Sequence, residues 1–178
     1  LLDLTGQVKD GWLYWDVPEG TWRIFVIYAT RMGGGRDNYV NFLSKKSCHL
    51  QIEAVYEPHF DHYGSEFGKT IAGFFSDEPE IGNISGYGRE TGIGNMTMPL
   101  PWSEEMPELM EERFGADYLR KIPALWMHVG SDEFTADIRN GYMDIVTDQC
   151  RRNFGGQIGG WCRAHGVEYI GHIIEDCG

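Results

Sequence analysis

The stretch Thr70-Ile71-Ala72-Gly73-Phe74-Phe75-Ser76-Asp77-Glu78-Pro79-Glu80 decides how this chain is organised. Its apolar run, residues 71–75, has the length and the aromatic content of a buried β-strand. Three carboxylates follow within four residues, at the carboxyl end of that strand. Pro79 has no N–H and keeps the residue before it out of the helical region. We therefore expect the strand to stop here, with Glu78 in an extended conformation.

Strand and helix signals alternate along the rest of the chain, and this alternation is typical of an α/β protein with parallel strands. A β-hairpin is predicted around the turn sequence Pro18-Glu19-Gly20. Ser44 or Ser47 is expected to cap a helix that continues to about Tyr63 and is kinked or divided at Pro58. The remaining predicted elements are the hairpin strands at 11–17 and 21–28, helices at 103–115 (capped by Ser103), 117–128 and 134–154, a short helix carrying Trp161 and Cys162, and a strand at 167–174.

The last predicted strand also ends in carboxylates, because Glu175 and Asp176 follow it directly. The carboxyl ends of parallel strands meet at one edge of a sheet, and in a β/α barrel that edge carries the active site. We therefore expect Asp77, Glu78 and Glu175 to lie on the same face. The simpler alternative is that both acidic segments are solvated turns.

The composition excludes some classes of partner. The net charge of −12 disfavours nucleic acids and anionic membrane surfaces. No apolar run approaches the length of a transmembrane helix. The chain begins with Leu1 and ends just past a predicted strand, so we expect it to be part of a longer, multidomain protein. The compartment stays open between the cytoplasm and a secreted or periplasmic location.

Two carboxyl groups facing each other across a cleft are the machinery of glycoside hydrolysis. One group protonates the leaving oxygen, and the other activates water or attacks the sugar, while their environments separate the two pKa values. Glu78 is the candidate general acid and Glu175 the candidate base. Asp77 is expected to orient a neighbour or a sugar hydroxyl, and His172 to bind a hydroxyl or tune a carboxylate.

The long loop at 81–102 is expected to wall the sugar site through Tyr87, Arg89 and Trp102, because loops of that length in compact domains are usually functional or disordered. In the predicted hairpin, tryptophans are read as packing residues, with sugar stacking as the alternative. These tryptophans are Trp12, Trp15 and Trp22.

A metal site is the competing use of the acidic strand ends. Asp77, Glu78, His172 and Glu175 offer oxygen and nitrogen ligands, so a calcium ion is possible, although no local metal-binding signature accompanies them. The four cysteines have no zinc-site spacing and are expected to be free, buried thiols. They are Cys48, Cys150, Cys162 and Cys177.

Three segments resemble a known family, the bacterial glycoside hydrolases related to family 106, the α-L-rhamnosidases. The run Gly11-Trp12-Leu13-Tyr14-Trp15-Asp16-Val17-Pro18-Glu19-Gly20-Thr21-Trp22-Arg23 resembles the family's G-x-L-x-W-x-V-P-x-G-x-W segment. Phe74-Phe75-Ser76-Asp77-Glu78-Pro79 resembles its F-F-(S/T)-D-E-P strand end. Gly171-His172-Ile173-Ile174-Glu175 resembles its later G-H-x-x-E strand end.

The resemblance implies a TIM-barrel catalytic domain that acts on carbohydrates, with Glu78 similar to the general acid and Glu175 to the general base of an inverting mechanism. It also implies calcium, with no ligand set indicated in this chain. The Asp-Glu-Pro motif is similar as well to the Asn-Glu-Pro acid/base motif of retaining glycosidases, so the stereochemical outcome stays open, as does the sugar.

The sequence therefore predicts an α/β fold, a partial (β/α)8 barrel spanning residues 31–178, with a β-hairpin excursion at residues 1–30. The predicted function is glycosidase activity, with this chain alone expected to be inactive. The alternatives are a carbohydrate-binding barrel without catalysis and a purely structural barrel segment. Expected partners are the carbohydrate and the remaining domains of the parent chain, and an open sheet edge makes a homo-oligomer possible.

Overall fold

The computed structural model describes residues 1–31, 38–79 and 93–172. This part of the chain is a mixed α/β structure with two small sheets, one antiparallel and one parallel. The α/β class expected from the sequence is thus confirmed. Among the described helices, none combines the length and the apolar character needed to cross a membrane.

The antiparallel sheet is a short hairpin near the N-terminus. Strand β1 (Val8–Lys9) pairs with strand β2 (Trp12–Leu13) across a turn at Asp10-Gly11. Both turn residues have positive φ, 51° and 80°, as a type I′ turn requires. The prediction of a hairpin between residues 11–17 and 21–28 was therefore wrong, since residues 21–28 pair with no described strand.

One long helical segment follows, made of α1 (Lys45–Gln51), a π-helical turn (Ile52–Tyr56) and α2 (Glu57–Tyr63). The Ser44 hydroxyl caps α1 by accepting a hydrogen bond from the backbone N–H of Ser47, as predicted. Pro58 does not divide the helix. The π-helical turn ends two residues before Pro58. A proline in a helix removes a backbone donor, and the hydrogen-bond ladder adjusts around it.

The helical body continues with α3 (Met106–Phe114), α4 (Tyr118–Lys121) and a 3₁₀ turn (Ile122–Leu125). The long helix α5 (Asp132–Gln149) is capped by the Ser131 hydroxyl. A π-helical stretch (Cys150–Gly156) joins it to α6 (Gln157–Ala164), and short 3₁₀ turns lie at Thr5–Gln7 and Gly64–Glu66. The predicted cap at Ser103 was wrong, because α3 begins three residues later and no side chain caps it.

Two buried clusters hold this body together. The first is formed by α3, the 3₁₀ turn at Ile122–Leu125 and α5. The second joins α1, the two π-helical stretches and α6. The first cluster contains Leu43, Met106, Met110, Phe114, Ile122, Ala124, Leu125, Ile138, Tyr142 and Val146. The second contains Phe42, Cys48, Ile52, Tyr56, Phe154, Ile158, Cys162 and Val167.

The parallel sheet consists of β3 (Gly73–Ser76) and β4 (Glu168–Gly171), in a register that places Phe75 opposite Ile170. Both strands were predicted from their apolar runs, and both are confirmed. One face of the sheet rests on the second cluster, through Phe74 and Tyr169. Large apolar side chains on the other face remain exposed, Phe75 by 59% and Ile170 by 62%.

Candidate functional site

The candidate site lies at the carboxyl end of β3 and β4, on the open face of the parallel sheet. Side chains alternate between the two faces of a strand, so Phe75 and Asp77 share this face, as do Ile170 and His172. The rings of Phe75 and His172 contact each other edge to face, with centroids 5.4 Å apart. The structure thus places an exposed aromatic ring beside polar side chains from two strands.

Asp77 and His172 form the polar centre of this site. The Nδ1 atom of His172 lies 3.1 Å from Oδ1 of Asp77, although the two residues are 95 positions apart in sequence. The strand ladder continues beneath them, because the N–H of His172 donates to the Ser76 carbonyl and the N–H of Glu78 donates to the His172 carbonyl. The prediction that these two strand ends meet is therefore confirmed for Asp77 and His172.

Glu78 has the least usual backbone of the site. Its φ is +39°, whereas we had expected an extended conformation from the following Pro79. That expectation was wrong, and the reason lies in the ladder: the N–H of Glu78 is still bonded to β4's end at 3.2 Å while the chain already turns away. A positive φ at a non-glycine residue costs about 1 kcal/mol or more and concentrates at functional sites. Glu78 is half-buried, whereas its neighbour Asp77 is exposed.

The opposite face of the sheet fixes the position of the site. Phe74 packs on Tyr56 of the π-helical turn and on Trp161 of α6, with ring centroids 4.7 and 6.1 Å apart. The indole N–H of Trp161 donates a 2.6 Å hydrogen bond to Glu57. Burial raises the pKa of both Tyr56 and Tyr169, so these phenols stay protonated at neutral pH. Both strands are therefore held from below by a packed aromatic layer.

The other predicted site residues do not join this cluster. Glu175, Tyr87 and Arg89 lie outside the described residues. Trp102 is half-buried and packs against the first cluster, where its carbonyl accepts a hydrogen bond from the Asn41 side chain. A role for Trp102 in walling a sugar site stays a prediction.

The tryptophans of the N-terminal region also remain outside the site's described contacts. Trp15 and Trp22 pack edge to face, with ring centroids 5.4 Å apart, and the Trp22 indole donates to the Pro18 carbonyl. Trp12 is largely exposed on strand β2. The packing interpretation thus fits Trp15 and Trp22 and does not fit Trp12.

Among residues 1–31, 38–79 and 93–172, no group of three or more His, Cys, Asp or Glu side chains is placed to hold a metal ion. Cys48, Cys150 and Cys162 are free thiols, and the first and last are buried, as predicted, whereas Cys150 is half-buried. Burial raises the pKa of the Cys48 thiol to about 12. The prediction for Cys177 lies outside the described residues.

Sequence reasoning missed the role of Phe75 as an exposed residue of the site. The apolar run at 71–75 predicts a buried strand and does not distinguish Phe74 from Phe75. The alternation of side chains along β3 separates them, because Phe74 faces the helices and Phe75 faces the open side. The alternation itself can be read from the sequence, but the sequence does not tell which of the two faces the helices cover.

Comparisons of this chain with protein-family models, with curated proteins and with solved structures found no match. The functional interpretation therefore depends on the site itself and on the resemblance of the three sequence segments.

Proposed function

We propose that this chain contributes the general acid of a glycoside hydrolase, and that Glu78 is that acid. The observation that carries the proposal is the strained backbone of Glu78, at φ +39°, next to a His–Asp pair at the carboxyl end of parallel strands. That end is where α/β folds place their catalytic residues. The proposed architecture is part of a (β/α)8 barrel.

The chemistry of the open face supports a carbohydrate as the substrate. Sugars present apolar ring faces and many hydroxyl groups, and Phe75 together with Asp77 and His172 offers an exposed ring beside hydrogen-bonding groups. In this proposal Asp77 and His172 bind hydroxyls and position the sugar, while Glu78 protonates the leaving oxygen. Glu175 is proposed as the partner carboxylate, and rhamnose is the first sugar to test because of the sequence resemblance.

The test compares Glu78→Gln with Glu168→Gln, both introduced into the full natural polypeptide. Glu168 is the matched control, since it is a carboxylate at the amino end of β4 and the candidate site lies at the carboxyl end of the strands. Hydrolysis is measured on 4-nitrophenyl glycosides, beginning with the α-L-rhamnoside, and on the corresponding alkyl glycosides. We expect Glu78→Gln to lower kcat/KM for alkyl glycosides by about 10²–10⁴-fold and Glu168→Gln to leave it nearly unchanged.

The choice of leaving group makes this test specific for proton donation. A 4-nitrophenolate departs without protonation far more readily than an alkoxide, so loss of a general acid should affect the alkyl glycosides more. An equal loss on both substrates would contradict the assignment of Glu78 as the acid. If Glu78→Gln changes only the affinity for sugars, the site binds carbohydrate without catalysis.

A further inference from the structure

One segment of the described chain has the pattern of a buried strand but no strand partner. Ile24-Phe25-Val26-Ile27-Tyr28 is apolar at every position, which is typical of a parallel strand covered on both faces. No described strand pairs with it, and Val26 is 79% exposed. Ile24, Ile27 and Tyr28 are exposed as well, and only Phe25 of the five is half-buried. Large apolar side chains left in water along most of a strand-forming segment indicate a missing contact.

The parallel sheet offers the complementary feature. No described strand other than β4 pairs with β3, so the far edge of β3 still presents its backbone N–H and C=O groups. A sheet of two short parallel strands is also far below the size at which such sheets are usually found. The free edge of β3 and the segment 24–28 therefore each lack a neighbouring strand among the described residues.

The handedness of strand crossovers identifies which edge the segment must take. Tyr56, in the helical segment before β3, and Trp161, in the helix before β4, both contact Phe74, so the two helical segments cover the same face of the sheet. Crossovers between parallel strands are right-handed in nearly all proteins. With both crossovers on one face, the strand before β3 must lie on the side of β3 opposite to β4, which is the free edge.

We infer that residues 24–28 add to the free edge of β3 as a third parallel strand, giving the order 24–28, β3, β4. The carboxyl end of this strand then lies at the same edge as Asp77 and His172. Arg31 follows the end of the proposed strand by three residues, much as Glu78 follows the end of β3 by two. The pairing would therefore bring Arg31 close to the candidate site. The inference does not depend on the glycosidase proposal, since it concerns strand pairing alone.

The test uses two proline substitutions and hydrogen exchange. Val26→Pro removes a backbone donor from the middle of the proposed strand, and Val17→Pro is the control, because Val17 is 63% exposed in the same N-terminal region. If residues 24–28 stay in solvent, both changes are equally harmless. If they pair with β3, we expect Val26→Pro to lower Tm by about 5 °C or more and Val17→Pro to change it by about 1 °C or less.

Hydrogen exchange in the unsubstituted protein gives a second readout that does not require any variant to fold. We expect the amides of residues 24–28 to exchange at least about tenfold more slowly than those of an unstructured peptide. Equal Tm values for the two proline variants, with unprotected amides at 24–28, would overturn the inference. Protection that disappears on dilution, together with a dimeric mass, would also overturn it, because the segment would then pair with a second copy. Neither readout uses a sugar, so a chain without glycosidase activity can still give the expected result.

Discussion

The helical body and the parallel sheet of this protein differ in how completely they bury their apolar residues. In the first cluster, Met106, Met110, Leu125 and Tyr142 are fully buried among α3, the 3₁₀ turn and α5. In the sheet, Phe74 is covered by the helices while Phe75, the next residue, is 59% exposed. The helical body thus buries its apolar residues among its own elements, whereas the sheet is packed on one face only.

Packing explains the apolar residues of the helical body but not those of the open sheet face. The apolar residues of the buried cluster are accounted for by stability alone, because burial of apolar surface stabilises the fold. The open face and free edge of the sheet are not explained by stability, and they coincide with the strained Glu78 and the Asp77–His172 pair.

The largest expected effect compares two aliphatic truncations, Leu125→Ala and Ile170→Ala. Leu125 has no exposed surface, so its truncation should lower the free energy of unfolding by about 2–5 kcal/mol. Ile170 is 62% exposed, and its truncation should cost less than about 1 kcal/mol. Denaturant unfolding measures both. Similar costs at the two positions would mean that the open face is covered in solution, and the contrast between the two regions would then be lost.

A smaller effect is expected from two glycine substitutions, Gly171→Ala and Gly160→Ala. A Cβ atom at Gly171 would overlap the carbonyl oxygen of Ser76, so the strands must separate where Asp77 meets His172. We expect a loss of about 1–3 kcal/mol in the free energy of unfolding. Gly160 lies within α6 with open space around it, and alanine there should stabilise by up to about 1 kcal/mol. A stabilising Gly171→Ala in thermal unfolding would show that the two strands are not held this closely.

The sequence predicted the elements whose signals are local. The apolar runs of β3 and β4 were sufficient to place both strands, and Ser44 was recognised as a cap because its hydroxyl acts within one turn. The hairpin was placed at the wrong turn, although Asp10-Gly11 is the stronger signal for a two-residue turn. The β-forming run at 21–28 favours a strand, but such a run does not identify the partner with which it pairs.

Other features could not be predicted because tertiary contacts decide them. Glu104 and Glu105 lie within the helix predicted at 103–115, yet both act at the start of α1. Glu104 accepts a hydrogen bond from the Ser44 hydroxyl, and Glu105 accepts one from the Lys45 N–H. The hydrogen bond from Ser44 lowers the pKa of Glu104. The conformation of Glu78 also depends on a ladder bond to His172, 94 residues away, which no local rule contains.

The smallest expected effect concerns backbone strain, through Glu78→Gly and Asp10→Gly. Both residues have positive φ, +39° and +51°, and glycine adopts such angles without a steric cost. Each substitution should therefore change the free energy of unfolding by no more than about 1 kcal/mol, with relief of strain offset by the greater entropy of glycine in the unfolded chain. The two variants separate in function. Asp10 lies in the hairpin turn, so Asp10→Gly should keep the proposed glycosidase activity, whereas Glu78→Gly should lose it while the protein stays folded. Thermal unfolding and hydrolysis of alkyl glycosides are measured on the same samples. Together they distinguish a residue whose positive φ accompanies a catalytic role from one whose positive φ only forms a turn. Full activity in Glu78→Gly would mean that the strain at the end of β3 serves the fold alone, and the open face would lose its strongest argument for catalysis.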